Sequence, residues 1–150
     1  MASWRQGDCV LGEHWFALRI DPALPLSSAA QVAAAEGADL AEEQVRGLVV
    51  VTQTCDIARS CVERPFIEVC PLVEVDELKL QEIARGRRPG YAVVPELVHE
   101  RLVADLDRTM TVEKPVVAQW RRTPGCNSDA EGRLFAQALA RKRARFAFPD

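Results

Sequence analysis

The run Thr52-Gln53-Thr54-Cys55-Asp56 gathers two hydroxyls, an amide, a thiol and a carboxylate directly behind the aliphatic stretch Leu48-Val49-Val50-Val51. A buried strand that stops abruptly in small polar residues presents side chains rigidly at a surface. A cysteine there becomes a nucleophile when a cation or helix N-terminus lowers its pKa, since the thiolate is the reactive form. Cys55, with Asp56 beside it, is the candidate, and His14 and His99 are the only histidines that would serve as its base. Without the thiol, Thr52, Gln53, Thr54 and Asp56, joined by Arg46 or Arg59, suit a phosphate, a base edge or a peptide backbone. The plain alternative makes Cys55 a small buried hydrophobe, Asp56 a cap and the threonines turn formers.

Zinc takes four nitrogen or sulfur ligands, usually delivered as close pairs. The five cysteines, at positions 9, 55, 61, 70 and 126, include no C-x-x-C pair, so no metal set and no cofactor is assigned. Their odd number and irregular spacing also argue against a disulfide framework and for a reducing compartment. A second candidate surface is basic: Arg121 and Arg122 near Trp120, and Arg141, Lys142, Arg143 and Arg145 near Phe135 and Phe146. Arginine interleaved with aromatics pairs phosphates and stacks on bases. A solvated helix end has the same composition. Phosphate loops, dinucleotide fingerprints, serine-hydrolase elbows and HExxH motifs are all missing from the sequence, which disfavours those enzyme classes.

The elements that must position these groups are mostly strands. Residues 7–20 read as a hairpin turning near Gly12-Glu13. Pro22 and Pro25 break the pattern, and Ser27 or Ser28 caps a short helix through Ala29–Ala35 inside an Ala-rich insertion at 26–45. Arg46–Thr54 is the clearest strand, with consecutive β-branched residues and burial on both faces. A turn or single helical turn follows at Cys55–Arg59. Pro65–Val75 is a second strand, at an edge, bulged or broken at Pro71. Asp76 caps a helix over Glu77–Arg85 that Gly86 ends. Tyr91–Pro95 and Leu102–Leu106 form paired strands, and Met110–Ala118 is a strand interrupted at Lys114-Pro115. A helix over about 129–147 closes the chain, with Leu134, Phe135, Ala138, Leu139 and Phe146 at helical spacing.

The 150 residues fit one β-rich domain with an adequate core, and a net charge of −3 argues against a surface wholly adapted to nucleic acid. No apolar run approaches a membrane span, and the first residues carry no secretory pattern, so a cytoplasmic protein without a membrane partner is expected. The expected fold is mainly β (α+β), a small barrel or rolled sheet with inserted short helices and a C-terminal helix.

Three segments in order, Gly7-Asp8-Cys9-Val10-Leu11, Arg46-Gly47-Leu48-Val49-Val50-Val51 and Ile67-Glu68-Val69-Cys70-Pro71-Leu72-Val73, resemble the PemK/MazF family of toxin endoribonucleases. The resemblance covers about half the chain. It implies an SH3-like barrel, commonly a homodimer, binding single-stranded RNA in a groove. In that family the arginine opening the second segment and a hydroxyl after the proline take part in cleavage. Arg46 matches the first, Val73 stands at the second, and Gly47 replaces a proline. The expectation is therefore a toxin- or defence-like barrel engaging RNA or DNA, with a site rearranged around Arg46, Thr52, Gln53, Thr54, Cys55 and Asp56. Arg121, Arg141 and Arg145 would extend its electrostatic footprint. The alternatives are a protein-interaction module of a multi-component bacterial system, and a cysteine- or zinc-dependent enzyme centred on Cys55.

Overall fold

A computed structural model describes residues 1 and 3–144. Its centre is the aliphatic run anticipated from the sequence: Leu48, Val49, Val50 and Val51 are each at most 1% exposed. Leu48 and Val50 point into one apolar cluster with Val10, Phe16, Ile57, Ile67, Val69 and Val117. Val49 and Val51 point into the other, with Cys9, Cys70, Leu72, Ala104 and Phe135. Period-two alternation buried on both faces gives the unbroken hydrophobic reading.

The protein is α+β and strand-dominated, with one six-stranded antiparallel, barrel-like sheet. Strand β1 (Cys9–Arg19) pairs with β2 (Leu40–Val50), which pairs with β3 (Phe66–Glu74); β5 (Leu102–Asp105) and β4 (Tyr91–Val93) follow, and β6 (Met110–Glu113) pairs with β3. Between β1 and β2 lies helix α1 (Ser28–Ala35), whose first turn Ser27 caps by accepting from Ala30 N–H at 3.1 Å. The expected hairpin at Gly12-Glu13 is instead a bulge inside one continuous strand. The β1–β2 register shifts between Leu11 and His14, and β2 runs alongside on both sides of it, so Leu40–Val45 of the Ala-rich segment is strand. The bend brings the backbones so close that a Cβ on Gly47 would lie 2.5 Å from the Val10 carbonyl. Only glycine fits there.

Pro71 sits in an unbroken β3. The Glu68 carbonyl accepts from Val51 N–H, so even-numbered groups face β2 and Pro71 faces the opposite edge. On that edge β6 ends opposite Val69 and β5 begins opposite Leu72, so the missing N–H falls in the gap between them. Helix α2 (Thr54–Ala58) follows β2, and α3 (Glu77–Ala84) follows β3, capped by Asp76 as expected from the sequence. A 3₁₀ helix (Pro95–Glu100) joins the paired β4 and β5. The expected second half of the 110–118 strand is instead helix α4 (Lys114–Gln119), because Pro115 in the first turn of a helix loses no hydrogen bond.

Helix α5 (Asp129–Arg143) opens with a capping box between Ser128 and Glu131 and buries Phe135 and Leu139 in the core. The part of the anticipated helix beyond Ala144, with Arg145 and Phe146, lies outside the described residues. Among the described residues no helix is long and apolar enough to cross a membrane.

Candidate functional site

The chain leaves the sheet at Val51, and its polar side chains take over the ladder. Thr52 Oγ1 accepts from Glu68 N–H at 2.7 Å, the donor that β2 would otherwise have met. Gln6 Nε2 donates to the Val51 carbonyl at 2.8 Å, while Gln6 N–H donates to Thr54 Oγ1 at 3.1 Å. The N-terminal turn is thereby fastened to the first residues of α2. Ile57 is the one buried residue of this short helix, and burying such a side chain is worth about 1.5–3 kcal/mol.

The other end of α2 is held by Lys114, which is fully buried. Its Nζ donates to the carbonyls of Asp56 at 2.9 Å and Arg59 at 2.7 Å. Carbonyls at a helix C-terminus have no partner within the helix, and an ammonium satisfies them with favourable charge. Spacing carries no sign of this role, since a lysine 55 residues beyond Arg59 reads as a surface residue.

Gln53, Thr54 and Cys55 are exposed and Asp56 is half-buried. The Cys55 thiol donates to Gln53 Oε1 at 3.7 Å. Neither histidine is hydrogen-bonded to it: the His14 ring meets Trp120 edge-on, and His99 lies 3.5 Å from Glu100. Three other thiols are held protonated. Burial, then Asp8 and Cys126, pushes Cys9 far up. Burial, then Asp105, pushes Cys70 up to about 12, and burial with Glu131 and Asp8 pushes Cys126 up to about 11. Among the described residues no three His, Cys, Asp or Glu side chains gather as a metal would require.

Arginines surround α2. Arg59 and Arg64 share Asp56 Oδ1, each with Nε at 3.7 Å. Arg143 reaches Glu68 at 2.6 Å, next to the Thr52 bond. A polar groove of 620 Å³ lies between the N-terminal turn, α2 and the first half of α5, and Arg5 and Arg133 line it beside Gln6, Thr54 and Asn127. Asp8, buried at its edge, accepts from Arg122 Nε and Arg5 N–H, both at 2.6 Å. Arg5, Arg133, Arg143 and Lys114 were not singled out with this site by their spacing; the topology gathers them from three distant segments, the N-terminal turn, α4 and α5.

The residues anticipated for the site divide. Thr52, Gln53, Thr54, Cys55 and Asp56 stand together. Arg46 does not join them: it lies six residues up β2, about 20 Å away along an extended strand, and pairs with Glu74 at 2.6 Å. Arg121 is exposed in the segment that bridges from α4 to Cys9, and Arg141 lies over Gly86, at the end of α3. Arg145 is outside the described residues. Comparison of the chain with protein-family models, curated proteins and solved structures finds no match.

Proposed function

We propose that this chain binds single-stranded nucleic acid across α2, as a recognition module in which Cys55 performs no thiol chemistry. The observation that carries the reading is the arc of arginines, Arg5, Arg59, Arg64, Arg133 and Arg143, around a short exposed helix that offers Gln53 and Thr54 as hydrogen-bonding groups. Arginine pairs phosphate in a planar fork, and two of these five have no carboxylate partner among the described residues. Phe66, two residues beyond Arg64, is 55% exposed and offers a face on which a base stacks.

The resemblance to the PemK/MazF toxins favours RNA as the strand, and a toxin- or defence-like setting accords with it. Cleavage by that family's arrangement has little support, since Glu74 occupies Arg46 and Val73 has no hydroxyl. The test is retention of a labelled mixed-sequence RNA on the purified protein, scored also for cleavage, with an Arg5→Ala/Arg133→Ala variant alongside. Retention that weakens with salt and in the variant, without cleavage, is the expected result. Retention unchanged by salt, or no retention at low salt, removes the reading.

A further inference from the structure

Two unpartnered apolar surfaces outside the α2 groove are flanked by charges of opposite sign. On the β1–β2 hairpin and α1, Trp15 is 60% exposed, with Val32 at 62% and Leu40 at 46% beside it in one shallow depression. Soluble monomers seldom leave a cluster of this kind bare. Its rim is acidic: Glu36 and Glu42 line it, both are exposed, and neither has a cationic partner among the described residues. Arg19, at the end of β1, is paired with Asp39 at 2.6 Å.

The second surface is a groove of 260 Å³ between the α3–β4 turn and α5. Ile83, Pro89, Tyr91, Leu134 and Ala138 give it an apolar lining, and Leu134 is 63% exposed. It has room for one large side chain, whereas pockets for small-molecule ligands begin near ~300 Å³. Its surroundings are basic: Arg141 lines it, Arg85 and Arg87 are exposed on the turn that supplies Ala84, Gly86 and Pro89 to it, and none of the three has a carboxylate partner among the described residues. The acids nearby are engaged, Glu82 with Arg88 at 2.7 Å and Glu131 with the backbone N–H groups of Asn127 and Ser128.

We propose that copies of this chain associate head to tail, with the acid-rimmed Trp15 of one copy seated in the arginine-rimmed groove between α3 and α5 of the next. Tryptophan and arginine are both enriched at interface hot spots, and the flanking charges set the register. Because knob and groove are different patches, the contact is heterologous: each addition leaves a knob and a groove free, giving a ring or an open chain in place of a two-fold dimer.

The test is sedimentation velocity of the full chain over a wide concentration range, with circular dichroism to confirm that each variant is folded. The wild type is expected to grow beyond two copies as concentration rises, and less so at high salt. Trp15→Ser, which keeps the groove, and Arg85→Glu/Arg87→Glu, which keeps the knob, are each expected to weaken association about 30-fold, as loss of a hot-spot anchor does. Mixed in equal amounts, these two variants supply one intact knob and one intact groove, so they form a pair of two chains that grows no further. A wild type that stays a single chain at every concentration overturns the proposal. So does assembly that survives Trp15→Ser, or a mixture that shows no pairing.

Discussion

Asp56 is the internal competitor of the proposed nucleic-acid surface, and Asp56→Asn therefore separates recognition from catalysis. Five arginines ring α2, and Asp56 and Glu68 are the carboxylates paired with them, leaving a net of about three positive charges for phosphate. Each phosphate neutralised on a single strand contributes about −0.7 to the slope of log affinity against log salt. The wild type should show a slope of about −2.1 and lose about 20-fold in affinity over a fourfold rise in salt. Asparagine keeps the size of Asp56 and removes its charge, so the net rises to about four, the slope steepens to about −2.8 and the fourfold loss grows to about 50-fold. At low salt the variant binds more tightly, because Arg59 and Arg64 no longer divide themselves between Asp56 and phosphate. The two contacts released are long and exposed, worth about 0.2–1 kcal/mol each, so the fold is unaffected. Fluorescence anisotropy of a labelled single-stranded RNA titrated at several salt concentrations measures all of this. If Asp56→Asn binds more weakly at low salt, or its slope is the shallower of the two, Asp56 is helping to hold the ligand and the reasoning fails.

Two further perturbations test the scaffold. Lys114→Met keeps the apolar stem but leaves the Asp56 and Arg59 carbonyls without their donor, and urea unfolding should show a loss of about 1–3 kcal/mol; an unchanged or raised midpoint would mean that the buried ammonium costs as much as it contributes. Cys70, with its folded pKa raised to about 12, binds its proton more tightly than in the unfolded chain, where thiols titrate near ~8.5, so its contribution is complete below that pH and is lost as pH rises. At pH 10 that loss is on the order of 2 kcal/mol, and in Cys70→Ala the fall in urea midpoint between pH 8 and 10 should be visibly smaller than in the wild type.

The strand content and most caps were legible because they depend on neighbours in sequence: β-branched runs, Ser27, Asp76 and Gly86 act within a few residues. Errors arose where a distant segment decided the outcome. Gly12-Glu13 reads as a turn until β2 is seen to pair on both sides of it. Lys114-Pro115 reads as an interrupted strand because the carbonyls that the lysine serves are 55 and 58 residues away. Thr52–Asp56 was legible as one surface since it is contiguous, and the arginines around α2 were not, because alternation and periodicity carry no information about which ends of a sheet meet. Arg46 shows the converse, a residue near the site in sequence that the length of an extended strand takes away from it.

The arrangement around β3 has a consequence for how the protein opens and closes. One strand serves three partners, β2 on one edge and β6 and β5 in succession on the other. The β2 pairing joins residues as near in sequence as those of the β1–β2 ribbon, since Val50 meets Val69, but the other two are distant, with Val69 meeting Met110 and Leu72 meeting Ala104, so more loop entropy must be spent before they form. The β1–β2–β3 pairings can therefore form early, with β6 and β5 docking on the other edge of β3 later. Once in place, β3 is released only when three ladders part together. Its amides from Ile67 to Cys70 and at Leu72 and Val73 should therefore be the slowest in the chain to exchange with solvent, while the outer half of the β1–β2 ribbon exchanges by local fraying.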